Sequence, residues 1–163
     1  VMLLCTHQHF DHVWGAAFVL RQWPHIKAYG NRIDFEKLPL PSEQLKGYGI
    51  PLPLEDVPME RYTLVQQDDL IRLGGEELRV LFVPGHAPGH IAFYAGESDI
   101  LLSGDTLLQG TIGRTDFWYG DYDQLVEAIK SQYMTLPDET IVFSGHGPET
   151  TIGFERRKNP FLQ

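Results

Sequence analysis

Thr6-His7-Gln8-His9-Phe10-Asp11-His12 follows directly on the apolar run Val1-Met2-Leu3-Leu4-Cys5. The run reads as a buried β-strand, which puts the polar stretch on the loop at the strand's C-terminal end. A helix is predicted next, over residues 13–23, with Asp11 and His12 at its mouth and Pro24 as its stop. Within six residues the loop offers three imidazoles and one carboxylate. His7 and His9 stand two apart in extended chain, so their side chains leave on the same side. Asp11 and His12 lie where the backbone turns into a helix and point elsewhere, so one loop can serve two adjacent metal ions. A polar loop with scattered histidines is the competing reading; clustering weighs against it, because structural histidines usually stand alone.

Working outward, an Ile26–Tyr29 strand closes at Gly30, and Asn31 caps a short helix reaching Lys37. From Leu38 to Arg61 five prolines and two glycines predict a long loop, either substrate-facing or a plain surface excursion. Residues 70–73 and 78–83 form a hairpin across Gly74-Gly75 and run into Pro84-Gly85-His86-Ala87-Pro88-Gly89-His90. A second strand pair, 91–95 and 99–103, ends in Gly104-Asp105-Thr106. Asp121 and Gln124 have capping-box spacing for a helix to about Tyr133, with Leu125, Val126, Ile129 and Tyr133 as its buried stripe. Residues 140–144 make a last strand before Gly145-His146-Gly147-Pro148-Glu149, and Thr150 or Thr151 opens a final short helix. Strands mixed with helices on one apolar core predict a layered α/β fold, and the 163 residues suit a single domain.

Composition narrows the function. A formal net charge of -9 argues against nucleic-acid binding, and bound divalent cations would offset part of it. No stretch approaches the roughly eighteen apolar residues of a membrane span. The single cysteine, Cys5, excludes an internal disulfide and fits a cytoplasmic, reducing setting. Its place at the end of an apolar strand favours a buried structural thiol over a soft metal ligand. The chain opens on Val1 and enters a core strand at once, so upstream strands of the same domain are expected to be missing.

The chemistry-bearing residues all fall at predicted strand ends: His7, His9, Asp11 and His12; His86 and His90; Asp105; His146. Only His25 among the seven histidines falls elsewhere, and it reads as a surface or turn residue. Gly85, Gly104 and Gly145 flank the later positions, which suits tight turns and close backbone approach.

The series His-x-His-x-Asp-His, Pro-Gly-His, Gly-Asp-Thr and Gly-His resembles the metallo-β-lactamase superfamily, nearest to its glyoxalase II-like branch of hydroxyacylglutathione hydrolases. The tail from Gly145 through Glu155-Arg156 to Asn159-Pro160 is similar to short bacterial members. The resemblance implies an αββα four-layer sandwich. It implies two divalent metal ions, zinc foremost, with iron or manganese compatible with a donor set of nitrogen and oxygen alone. His7, His9 and His86 would bind one ion, Asp11, His12 and His146 the other, and Asp105 would bridge them. A hydroxide shared by the ions would attack a small-molecule thioester such as an S-acylglutathione, oriented by catalytic Asp11. A thiolate leaves without a general acid, because its pKa is only about 8.5. Arg114, in Gly113-Arg114-Thr115-Asp116-Phe117, matches a basic residue that binds a substrate carboxylate, or else pairs with Asp116. His90 is expected to support ligands rather than be one.

Three departures qualify the resemblance. The N-terminal strand layer is absent, Trp14 replaces a common glycine where it would shift the entrance, and the C-terminal helical segment of long glyoxalase II enzymes is lacking. The competing activities are a mononuclear iron persulfide dioxygenase, using positions matching His7, His86 and Asp105, and a lactonase. A β-lactamase is not expected, since those enzymes usually lack a counterpart of Asp105. A degenerate or truncated domain that keeps its metal without turnover is the non-enzymatic reading; the seven intact ligand positions weigh against it.

Overall fold

A computed structural model describes residues 1–163. Two sheets lie face to face with helices outside. The smaller is parallel, in the order β1 (Met2–Leu4), β2 (Lys27–Gly30), β3 (Tyr62–Leu64). The larger has six strands: β4 (Leu70–Leu73), β5 (Glu76–Phe82), β6 (Ile91–Ala95), β7 (Ile100–Gly104), β10 (Ile141–Ser144) and β11 (Thr150–Thr151). Strands β4 to β7 form an antiparallel meander, β10 joins β7 in parallel, and β11 closes the sheet antiparallel to β10. A small ribbon, β8 (Leu107–Leu108) with β9 (Thr111–Ile112), stands beside it.

The alternation of side chains along each strand builds the layers. Val80, Ile91 and Phe93 face Tyr29, Met2 and Leu4 of the smaller sheet. Leu81, Ala92, Leu101 and Val142 point the other way, onto Leu125, Ile129 and Tyr133 of α5 (Tyr122–Gln132) and Ile152 of α6 (Ile152–Lys158). On the far side, Cys5, Ala28 and Tyr62 pack against Val13 of α1 (Phe10–Val13) and Ala16 and Leu20 of α2 (Ala16–Gln22). The order helix, sheet, sheet, helix is the αββα sandwich expected from the sequence. Each fully buried Leu or Ile in these layers contributes about 1.5–3 kcal/mol, so the two sheets are held mainly by apolar burial. Strand β1 is an edge of the smaller sheet, and Ile141 and Phe143 of β10 remain exposed. No helix is long and apolar enough to cross a membrane.

Several elements differ from expectation. The helix over residues 13–23 is two helices, because Trp14 and Gly15 interrupt it. The proline-rich stretch contains α4 (Pro41–Gly47), started by Pro41 and by the Glu43 carboxylate accepting the Leu40 N–H at 3.2 Å. A 3-10 turn (Met59–Arg61) leads into β3, too short to carry a periodic signal. The capping box of α5 is half made. Asp121 accepts the Gln124 N–H at 2.9 Å, while its own N–H goes to the Gly85 carbonyl at 2.8 Å. Asn31 caps α3 (Arg32–Lys37) as expected, through the Ile33 N–H at 2.9 Å.

Candidate metal centre

Strands β5, β7 and β10 run the same way, so their C-terminal ends lie along one edge of the larger sheet. His86, Asp105 and His146 sit just past those ends, and the loop after β1 brings His7 to His12 over the same edge. Ile91 N–H to the Thr6 carbonyl, at 2.8 Å, ties that loop to β6. Glycine makes the convergence possible at two places. Gly85 has φ +127, and a Cβ there would strike the backbone at Asp121 and Leu125. A Cβ on Gly145 would collide with Asp105 and His12.

The structure brings together all seven residues singled out as ligands. Donor atoms of His7, His9 and His86 lie within 4.8 Å of one another, as do those of His7, His12 and Asp105, and those of Asp11, His12 and His146. Asp105 Oδ2 stands between the sets, 3.3 Å from His12 Nε2, 3.4 Å from His146 Nε2 and 3.7 Å from His86 Nε2. Asp11 Oδ2 is 3.3 Å from His146 Nε2 and 3.6 Å from His12 Nε2.

Hydrogen bonds on the outer ring atoms orient the inner ones. His86 Nδ1 donates to the Arg114 carbonyl at 2.8 Å, which leaves its Nε2 lone pair facing His9 Nδ1 at 3.1 Å. His9 Nε2 meets the Tyr119 hydroxyl at 2.8 Å. His7 Nδ1 meets Thr6 Oγ1 at 3.1 Å, while its Nε2 is buried without a partner, as is Asp105 Oδ1. Buried lone pairs that point at one another are unfavourable unless something electropositive lies between them. The donor set therefore fits divalent cations, with no thiolate among it.

The protonation preferences agree. Burial holds His7 well below the ordinary imidazole value, helped by the neighbouring rings, and holds His9 at about 3. Burial also lowers His86. At His12, burial is outweighed by Asp105 and Asp11, so its pKa is raised. Asp105 is lowered: burial opposes this, but His12, His86 and His146 prevail.

His90 is not among the clustered donors. Its Nε2 accepts the Asp105 N–H at 3.1 Å and its ring stacks on His7 at 4.7 Å, so it braces two ligand positions. Cys5 also stands apart, with burial pushing its thiol up to about 11. His25 is exposed. Arg114 is engaged with Asp116 through paired bonds of 2.6 and 2.7 Å. Trp14 packs on Phe10 and does not line the cleft above the cluster.

Three supporting residues escaped the sequence reading. Asp34 is buried and accepts the Gln8 N–H at 3.0 Å and the Gly89 N–H at 2.5 Å, clamping two ligand loops together. Gln44 of α4 donates to the Gln8 carbonyl and accepts from the Phe10 N–H. Tyr119 holds His9. None carries a local signal, since each acts across dozens of residues.

Donors converging at one edge of a two-sheet sandwich, with helices outside, define a metallo-hydrolase class of enzyme. The chain belongs to the metallo-beta-lactamase superfamily, whose domain matches residues 3–146. It is 41% identical over 165 residues to hydroxyacylglutathione hydrolase GloC of Haemophilus influenzae, covering 99% of this chain and 75% of that one. Among solved structures it is similar to BLEG-1, a B3 metallo-beta-lactamase, with TM-score 0.88, 35% identity, and coverage of 99% of this chain and 77% of that one. It is also similar to TTHA1623 in a di-iron-bound form, with TM-score 0.85, 36% identity and the same coverage.

Proposed function

We propose that the chain is one metallo-hydrolase domain acting on a small-molecule thioester such as an S-acylglutathione, with two divalent ions, zinc foremost. The observation that carries this reading is the pair of ligand sets meeting at Asp105. His7, His9 and His86 would hold one ion, Asp11, His12 and His146 the other, and Asp105 both. Bound there, the ions would supply a nucleophilic hydroxide near neutral pH and Lewis-acid polarisation of the substrate carbonyl. Asp11, exposed at the cleft side of the cluster, would accept a hydrogen bond from that hydroxide and so orient it toward the substrate carbonyl. The departing sulfur needs no proton from the protein, since a thiolate is a fair leaving group. His90 and Tyr119 hold ligands in place. The likeness to GloC supports the thioester assignment, and the di-iron neighbour supports two ions and keeps iron alongside zinc.

The test is metal analysis joined to a substrate panel: S-lactoylglutathione, a lactone, a β-lactam and glutathione persulfide. The proposal expects two ions per chain and highest kcat/KM on the thioester. One iron per chain with oxygen uptake on the persulfide would replace it with a dioxygenase. Preferential opening of the lactone or β-lactam would move the substrate and keep the centre.

A further inference from the structure

We infer that the cleft above the metal centre is an aromatic slot selecting acyl groups with a planar, apolar substituent next to the reacting carbonyl. This rests on the hydrolase reading above and sharpens its substrate class. The cleft, of about 480 Å³, has two aromatic walls. Phe10 of α1 and Tyr48, at the end of α4, form one, with ring centroids 5.5 Å apart. Phe117, Trp118 and Tyr119, in the segment between β9 and α5, form the other. Phe117 stacks on Tyr119 at 5.2 Å and 22°, and Trp118 meets Tyr119 edge-on at 5.1 Å.

The second wall reaches down to the ligand floor. Phe117 sets its ring against His9 at 5.2 Å and His86 at 5.8 Å. With the carbonyl over the cluster, the slot assigns Phe117 to the first atoms of the acyl substituent and the rim rings, Trp118 and Tyr48, to its far end.

At that rim, Trp118 is 80% exposed and Tyr48 57% exposed. Side chains of this size are costly to leave in water, and grouped over a cleft they mark a binding surface. Charge offers little competition. Arg114 is the one Arg or Lys lining the cleft; Asp116 grips its guanidinium at two nitrogens, and its carbon lies 4.4 Å from the Phe117 ring centre. Away from the ligand floor a charged acyl group finds no unpaired Arg or Lys, whereas an apolar ring finds aromatic side chains on both walls.

Two matched pairs of compounds test this on the zinc-loaded protein. S-phenylacetylglutathione and S-acetylglutathione share a carrier and are compared by kcat/KM; S-benzylglutathione and S-methylglutathione are inert thioethers compared by calorimetry. The aromatic member of each pair is expected to win by about tenfold, the scale of one good aromatic contact. Trp118→Ala, and separately Tyr48→Ala, should each cut both ratios to about twofold, while Trp23→Ala, on the exposed end of α2, should keep them. Equal values within each pair, or a ratio untouched by both slot variants, would overturn the inference. Tighter S-benzyl binding without turnover of either thioester would uphold the slot and overturn the hydrolase reading instead.

Discussion

The two ligand sets are built differently. His7, His9 and His86 are all buried, and each has its outer nitrogen fixed by Thr6, Tyr119 or the Arg114 carbonyl. Asp11 and His146 are exposed, His12 is half-buried, and the close polar contacts of their ligating atoms are with one another and Asp105. A buried set with oriented lone pairs is organised before any ion arrives. An exposed set must be drawn together by the ion, at a cost in side-chain entropy. The first position is therefore expected to fill first and hold longest, the second to exchange.

The largest effect expected is at the buried set. His86→Ala should remove bound metal and lower kcat/KM about 10³-fold or more, the scale of losing Lewis-acid stabilisation, while circular dichroism stays native. Thioester hydrolysis at the parental rate would show that His86 is not a ligand. His146→Ala, in the exposed set, should leave one tightly held ion per chain and lose the second, as read by metal analysis after brief chelation. Loss of both ions would erase the contrast between the sets.

Tyr119→Phe probes why the buried set is strong. Without the hydroxyl, nothing holds the His9 proton on Nε2, and affinity at the first position should fall about 10- to 100-fold in a chelator competition. The metal-free protein should lose only about 1 kcal/mol of stability, the scale of the one hydrogen bond removed. A lower melting temperature with unchanged affinity would give Tyr119 a packing role only.

The smallest effect concerns the clamp between the ligand loops. Burial, partly offset by the Gly89 and Gln8 N–H groups, pushes the Asp34 carboxyl from an ordinary 3.8 up to about 6. Because the folded pKa is raised, the stability it contributes is complete below about pH 4 and is lost as pH rises through about 6. In urea unfolding of the metal-free protein, wild type should lose roughly 1–3 kcal/mol relative to Asp34→Asn between those limits. A constant difference from pH 4 to 7 would mean that Asp34 keeps an ordinary pKa.

The strand ends are legible because each announces itself locally: an apolar run followed within a few residues by a histidine or aspartate, with a glycine between them at the three later ends. Those runs and the capped helix α5 give a layered α/β fold, and the αββα order comes from the family resemblance that the motifs carry. What stayed hidden was whatever depends on distant partners. Asp34 looks like any acidic residue of a short helix until α3 is folded against the loops after β1 and β5. Glu155 lies in the quoted tail, yet only folding shows it fully buried, accepting from Gly110, Thr150 and Asn159. That Arg114 bonds Asp116 through two nitrogens also shows only in three dimensions. The α4 helix was misread because five prolines suggest loop, although Pro41 stands where proline starts a helix.

The proposed thioesterase function rests on two ions around Asp105. Its most direct measurement is recovery of thioester hydrolysis while chelator-stripped protein is titrated with zinc. No activity is expected without metal, the first equivalent should bind with little turnover, and activity should rise with the second and then level. Full activity in the stripped protein, or none on any thioester at saturation, would contradict that function.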